Sequence, residues 1–320
     1  MKNISLLVVR NSLIGAVGNT RHMFEKVNDF IRESGQEAHF NVRLIGLTKE
    51  IVLDQGMFTI QADATLEEVK KSDLIIIPPL GGEMEQGVAL NKDFTPWIVK
   101  QYKSGSEVAS LCVGSFILAN TGLLNGKKCS SHWKTANQFR KLYPAVHLVD
   151  DKIITDYNGL YTSGGSNSYW NLLIYLVGKY TSPEIAIRTS KYFEVELERD
   201  NQSPFRVFEG YKLHDDQVIL NAQEYIEAEY QDKLTIAQIS RTFGLERRTF
   251  QRRFKKATYF TVVEYIQNVR IEIAKKLLEA NRFTVNEVMY EVGYNDPKWF
   301  RNVFKKVAGI SPQAYKNRYQ

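Results

Sequence analysis

The 320-residue chain has only two cysteines, Cys112 and Cys129, which give no disulfide framework and no four-ligand zinc site. It has no run of eighteen apolar residues, so no helix read from the sequence spans a bilayer. The opening MKNISLLVVRNSL has six apolar residues before Arg10, too few for a signal-peptide core, and reads as a first buried strand. His22, His39, His147 and His214 show no metal-ligand spacing to acids or to each other, and no cofactor motif is present. These absences are read as a cytoplasmic protein without a metal or cofactor. What the chain does have is apolar mass. At 43% hydrophobic and 12% aromatic residues it can offset the entropy of ordering, which excludes a disordered chain. Its length exceeds what one core usually holds and implies two domains.

Positive charge is concentrated at one end. Residues 1–213 carry 24 Lys and Arg against 23 Asp and Glu, whereas residues 233–320 carry 18 against 7, a net of +11. Between them, residues 214–232 hold six acids and no Lys or Arg. A field of +11 on a small domain favours a polyanion such as nucleic acid.

The N-terminal part alternates short apolar strands with helical stretches. ISLLVV (4–9), FNVRLIGL (40–47), DLIIIPP (73–79) and EVASLC (107–112) read as strands, with KIITD and GLYTS as a hairpin around Tyr157–Asn158. TRHMFEKVNDFIRESG puts Met23, Val27, Phe30 and Ile31 on one helical face, and NSYWNLLIYLVGKY (167–180) is an apolar helix. The fold expected is a doubly wound, flavodoxin-like parallel sheet over residues 1–198. The stretch ELERDNQSPFRVFEGYKLHDD is polar and shows neither period, so residues 199–214 read as a linker. Residues 215–320 read as all-α.

The all-α part repeats itself. Thr235, Ile239 and Gly244 match Thr284, Val288 and Gly293 at a spacing of 49, while Phe250, Phe254 and Tyr265 match Phe300, Phe304 and Tyr315 at 50. In each copy the Thr is placed to cap a first helix and the Gly to end it, and a second helix follows, 246–256 and 296–306. Phe250 and Phe254, and Phe300 and Phe304, fall on the inner stripe. Arg247, Arg248, Gln251 and Arg252 face outward in the first copy, and Lys298, Arg301 and Asn302 in the second. These side-chain types match base edges in the major groove. A helix over 262–280, with Val262, Ile266, Val269, Ile273 and Leu277 on a face, joins the copies and spans roughly 28 Å, close to the ~34 Å between successive groove faces.

Residues 216–320 resemble AraC/XylS-type regulators through the two helix-turn-helix units, the joining helix and the closing GISPQAY (309–315). The resemblance implies regulation at promoters, DNA contacts from Arg248, Gln251 and Arg252, and a contact with RNA polymerase. The first copy departs from the family pattern at Tyr259 and Val262, where a glycine and a proline usually stand.

In EVASLCVGSFILANTGLL, Cys112 stands at a strand-to-helix turn, where free helix amides are expected to lower a thiol pKa. A nucleophile also needs a base held by a third group. His132 in SSHW is the candidate; Val113 follows the Cys and serves neither role, and Asn11 and Ser12 follow the first strand in place of an acid. This half resembles the class I glutamine amidotransferase-like superfamily of PfpI type, through DLIIIPPLGGE, VASLCVGSFILANTGLLNG, SSHW and GLYTSGGSNSYWNLLIYLV. Enzymatic members carry His after the nucleophile and Glu near the first strand, and both are missing here. The resemblance to the regulator branch implies a sensor of a small metabolite, an amine or amino-acid derivative, and a homodimer. By position Gly81, Gly82, Cys112, Val113, His132, Ser163 and Gly164 border the pocket. Trp97, Trp133 and Trp170 read as core residues, with a cation–π cage for a quaternary amine as the other use. The reading is a transcription regulator and not an enzyme. A Cys112 hydrolase or lyase, and a DNA-binding protein with an empty sensor domain, are the alternatives.

Overall fold

The computed structural model describes residues 1–53, 56–197 and 201–320, and the chain divides into two units, Met1–Gln202 and Ser203–Gln320. The first unit comprises β1 (Lys2–Leu7), α1 (Ile14–Glu33), β2 (Phe40–Gly46), a hairpin of β3 (Glu50–Leu53) and β4 (Phe58–Gln61), β5 (Ala64–Thr65), β6 (Leu74–Ile77), α2 (Met84–Leu90), α3 (Phe94–Lys103), β7 (Glu107–Ser110), α4 (Ser115–Asn120), β8 (Lys128–Cys129), α5 (Ala136–Leu142), β9 (His147–Leu148), β10 (Ile154–Tyr157), β11 (Leu160–Ser163), α6 (Ser168–Tyr180) and α7 (Pro183–Tyr192).

Seven strands form one sheet in the order β10-β11-β7-β6-β1-β2-β5, parallel throughout except for the β10–β11 pair. The four apolar residues of β6 explain why such strands read as continuous runs. Leu74 and Ile76 enter the core under α1 and α6, while Ile75 and Ile77 enter the opposite core with Phe94, Ile98, Phe116 and Phe139. Both faces are covered, so there is no polar side to alternate with. The expected doubly wound parallel sheet is thus present. The small β3–β4 hairpin has no counterpart in the sequence reading, because its outward residues include Val52 and Phe58 and mask the alternation.

The second unit holds α8 (Gln217–Ala228), α9 (Ile236–Thr242), α10 (Arg247–Thr258), α11 (Val262–Glu279), α12 (Val285–Glu291), α13 (Pro297–Ala308) and α14 (Pro312–Arg318). It contains two cores. Ile239, Phe250, Phe254, Val262, Tyr265 and Val269 belong to one, and Ile271, Ala274, Leu278, Val288, Phe300, Phe304 and Tyr315 to the other. Helix α11 therefore serves one core with its first half and the second with its last half. That explains a departure from the expected single stripe: Ile273 and Leu277 are only half-buried, while Ile271, Ala274 and Leu278 are buried.

Residues 199 and 200 of the expected linker lie outside the described residues. Residues 203–214 belong to the second unit and lie along α11. The Phe208 amide donates to Glu272 at 3.0 Å, the Lys275 ammonium donates to the Arg206 carbonyl, and the Tyr211 carbonyl accepts from Gln223 at 3.0 Å. The Phe208 ring packs edge-on against Tyr265 and Phe260. These hydrogen-bond partners lie 12 to 69 residues away along the chain, so a polar segment without periodicity concealed an ordered strap.

Candidate functional site

The recognition helices are defined by their caps. Thr235 accepts from the Gln238 amide and Thr284 from the Glu287 amide, and in both copies the third residue reaches back, completing a capping box. Gly244 (φ 65°) and Gly293 (φ 75°) turn the chain in the left-handed region, as a tight helix reversal requires. Glu246 and Asp296 then cap α10 and α13, accepting from the Thr249 and Trp299 amides at 3.1 and 2.7 Å. Pro297 occupies the first turn of α13, where its missing N–H is not needed.

With Phe250, Phe254, Phe300 and Phe304 buried, the remaining positions are forced outward. Arg247, Arg248, Gln251 and Arg252 are exposed on α10, and Lys298, Arg301 and Asn302 on α13. The structure brings Arg248, Gln251 and Arg252 into one groove with Lys255, Lys256, Thr261 and Val262. Lys255 and Lys256 are additions to the expected set, and the repeated Phe-Lys-Lys triplet was the signal for them. Arg253, by contrast, turns away and forms a two-pronged ion pair with Asp216 at 2.6 and 2.9 Å, which ties α10 to the N-cap of α8. The Arg253 guanidinium beside it holds the Asp216 carboxyl below the ordinary carboxylate range.

The elbow in the first unit has the expected shape and a different electrostatic balance. Cys112 follows β7 with φ 53°, and a single 3-10 turn, Cys112–Gly114, leads into α4. Gly114 is pressed against the end of β6: an added Cβ would lie 2.6 Å from the Pro78 carbonyl oxygen. The Cys112 amide donates to Ser163 Oγ at 2.9 Å, so those two residues meet. The thiol, however, is buried, and burial pushes its pKa up to about 12. The expected lowering is overturned because burial raises the thiol more than the hydrogen bond with the Val113 backbone lowers it.

His132 uses its Nδ1 to accept from the Lys134 amide at 3.1 Å and so caps a short turn. Burial, and then the charge of Lys134, push its pKa down. Among the described residues no hydrogen bond joins it to Cys112 Sγ. Val113 is buried beside Cys112. Gly81 donates to the Asn11 carbonyl at 2.7 Å, and Gly82 is exposed. Gly164 and Gly165 lie against Gln202, with Trp133 and His132 also near Gly165. Trp97 and Trp170 pack on opposite faces of the sheet, so the three tryptophans form no common cage. Among the described residues no cluster of three or more His, Cys, Asp or Glu is placed to hold a metal, and no helix is long and apolar enough to cross a membrane.

Comparison with known proteins joins the two halves. Residues 25–177 match the DJ-1/PfpI family and residues 239–318 match a helix-turn-helix domain family. The chain thus combines a DJ-1/PfpI domain with an AraC-type helix-turn-helix domain, as do proteins named as HTH-type transcriptional regulators. Similar members include the HTH-type transcriptional regulator CdhR of Pseudomonas aeruginosa, 24% identical over 82% of this chain and 77% of that protein. GbdR of the same species is 25% identical over 79% and 68%. These relatives of the AraC-type chain are named as regulators, not enzymes, in keeping with the protonated thiol. For the fold, a transcriptional-regulator structure from Vibrio parahaemolyticus superposes with TM-score 0.53 at 18% identity, covering 60% of this chain and 98% of that one. A ThiJ/PfpI family protein from Pseudomonas syringae superposes with TM-score 0.51 at 16% identity, covering 62% and 76%.

Proposed function

We propose that this AraC-type regulator reads specific promoter sequences with its second unit and takes a small metabolite, an amine or amino-acid derivative, in its first. The observation that carries the reading is the pair of capped helices, each burying two phenylalanines and offering cations and amides outward. Arg248, Gln251 and Arg252 contact bases in one major-groove segment and Lys298, Arg301 and Asn302 in the next, with Arg247 on the phosphates. Gly81, Gly82, Cys112, Val113, His132, Ser163 and Gly164 border the effector pocket, Cys112 serving as a lining residue. Effector and DNA favour the same arrangement of the protein, so each raises the affinity of the other. The protein acts in the cytoplasm as a homodimer on paired sites and contacts RNA polymerase.

The test is selection of duplexes from a random pool by the full chain, followed by gel shift of the selected sequence. Gln251→Ala and Arg252→Ala should each weaken the selected duplex by roughly 1–3 kcal/mol more than a scrambled one. Equal weakening on both would reduce α10 to a phosphate contact. A thermal-shift screen against amines, amino acids and betaines tests the sensor. A ligand at a hundred times its dissociation constant adds ~2.7 kcal/mol, and it should be recovered unchanged.

A further inference from the structure

One polar side chain in the first unit is buried in a way the sensor reading does not use. Gln202 is the last residue of that unit and is 1% exposed. Its Nε2 donates to the Ser131 carbonyl at 2.9 Å and to the Lys152 carbonyl at 3.3 Å, and its Oε1 accepts from the Gly165 amide at 2.7 Å. Its own backbone amide donates to the Asp151 carbonyl at 2.8 Å. The slot is also shaped to the group: a Cβ on Gly164 would stand 2.6 Å from Nε2, and one on Gly165 3.0 Å from Oε1. Two carbonyls on the nitrogen side and one N–H on the oxygen side accept a primary carboxamide and reject its nearest isosteres. A carboxylate would face both carbonyls with an oxygen, and an ester or methyl group would offer neither of them a donor.

The slot adjoins the effector pocket. Ser131 precedes His132, Gly165 follows Gly164, and the rings of His132 and Trp133 lie within 4 Å of the Cβ position at Gly165. Ser203, the next residue after Gln202, opens the second unit, where the Pro204 carbonyl accepts from Tyr319 and the Arg206 carbonyl from Lys275.

We propose that this slot is a primary-carboxamide binding site which the chain fills with its own Gln202, and that an effector carrying such a group competes with Gln202 for it. The proposal rests on the sensor reading for the identity of the pocket. Displacement of Gln202 frees the end of the first unit at the residue joined to the DNA-binding unit, which gives the effector a covalent route to DNA affinity.

Chemical rescue in the 320-residue chain decides it. Gln202→Ala removes what amounts to one acetamide molecule, leaving the Ser131 carbonyl and the Gly165 amide without this partner and the Lys152 carbonyl with Ser130 Oγ alone. The midpoint of the first unfolding transition should fall by roughly 3–8 °C. Acetamide at ~100 mM should then restore at least half of the loss, while leaving the wild type unmoved because its slot is full. Acetate at the same concentration should restore nothing, and Gln202→Glu should lose stability without rescue by acetamide. An unshifted midpoint in Gln202→Ala overturns the proposal. So does equal rescue by acetate, or an acetamide shift of the same size in the wild type. Any of these, alongside a metabolite found to bind the wild type, removes the slot and leaves the sensor reading standing.

Discussion

The two helix-turn-helix copies share a scaffold and differ on their surfaces. Capping threonines, turn glycines, paired phenylalanines and closing tyrosines recur in register, and every one of these positions caps, turns or fills a core. The outward positions diverge. Arg248, Gln251 and Arg252 face Lys298, Arg301 and Asn302 across the repeat, and the clamped Arg253 corresponds to Val303, which is buried in the second core. Thr249, at the start of α10, corresponds to Trp299, which is 55% exposed. Packing holds the scaffold to one solution, while surface positions are free to specialise. The two copies therefore present different surfaces, and among the described residues only the first is tied to α8 by an ion pair.

Four measurements break or sharpen that comparison. The largest effect belongs to the cores. Phe254→Ala and Phe304→Ala should each cost about 3–5 kcal/mol, measured by thermal unfolding of the full chain. Because α11 belongs to both cores, each should also weaken the copy it does not touch, as read by amide hydrogen exchange; protection lost in one copy alone would show the cores to be independent.

Next come the outer faces. Arg252→Ala and Asn302→Ala should each lose about 1–3 kcal/mol on a duplex carrying their own half-site, and much less when that half-site is scrambled. Equal losses on both duplexes would mean that the copies read the same feature.

The clamp is a smaller term and has a pH signature. Asp216 is held below the ordinary carboxylate range by Arg253, so its contribution is present at neutral pH and is lost as pH falls through the folded-state pKa. Asp216→Asn keeps the helix cap and removes the charge. Its melting midpoint should lie about 1–3 °C below wild type at pH 7, with the gap closing in acid. A gap that persists below the carboxylate range would assign the effect to packing.

The smallest effect concerns the helix ends. Tyr259 closes α10 at φ 65°, where Gly309 closes α13 at 77°. Tyr259→Gly relieves about 1 kcal/mol of left-handed strain and loses a ring contact with Tyr211, so its net effect should stay within about 0.5 kcal/mol. A larger loss, measured by denaturant unfolding, would make the tyrosine ring a core element of the first copy.

Much of this fold was legible in the sequence because its signals are local. The β6 run, the helix at 168–180, the capping threonines and the outward faces of α10 and α13 each depend on neighbours within a few residues. What escaped depends on partners far along the chain. The thiol of Cys112 is set by a core that closes over it, not by the turn that carries it. The strap over 203–214 is held by Glu272, Lys275 and Gln223, and Gln202 by Ser131, Lys152 and Gly165. Polar residues were the ones misjudged, since spacing reveals which side chains go inward but not which carbonyl waits for them.

Helix α11 has a consequence for the genome as well as for the protein. One helix of 18 residues joins the two helix-turn-helix copies, so in the DNA reading proposed above the gap between the two words is set by that rod and not by a flexible tether. Adding a single residue to it would swing one head by ~100° about the rod and spoil the pairing. Promoters under this regulator should therefore tolerate spelling errors within a word far better than a gained or lost base pair between words.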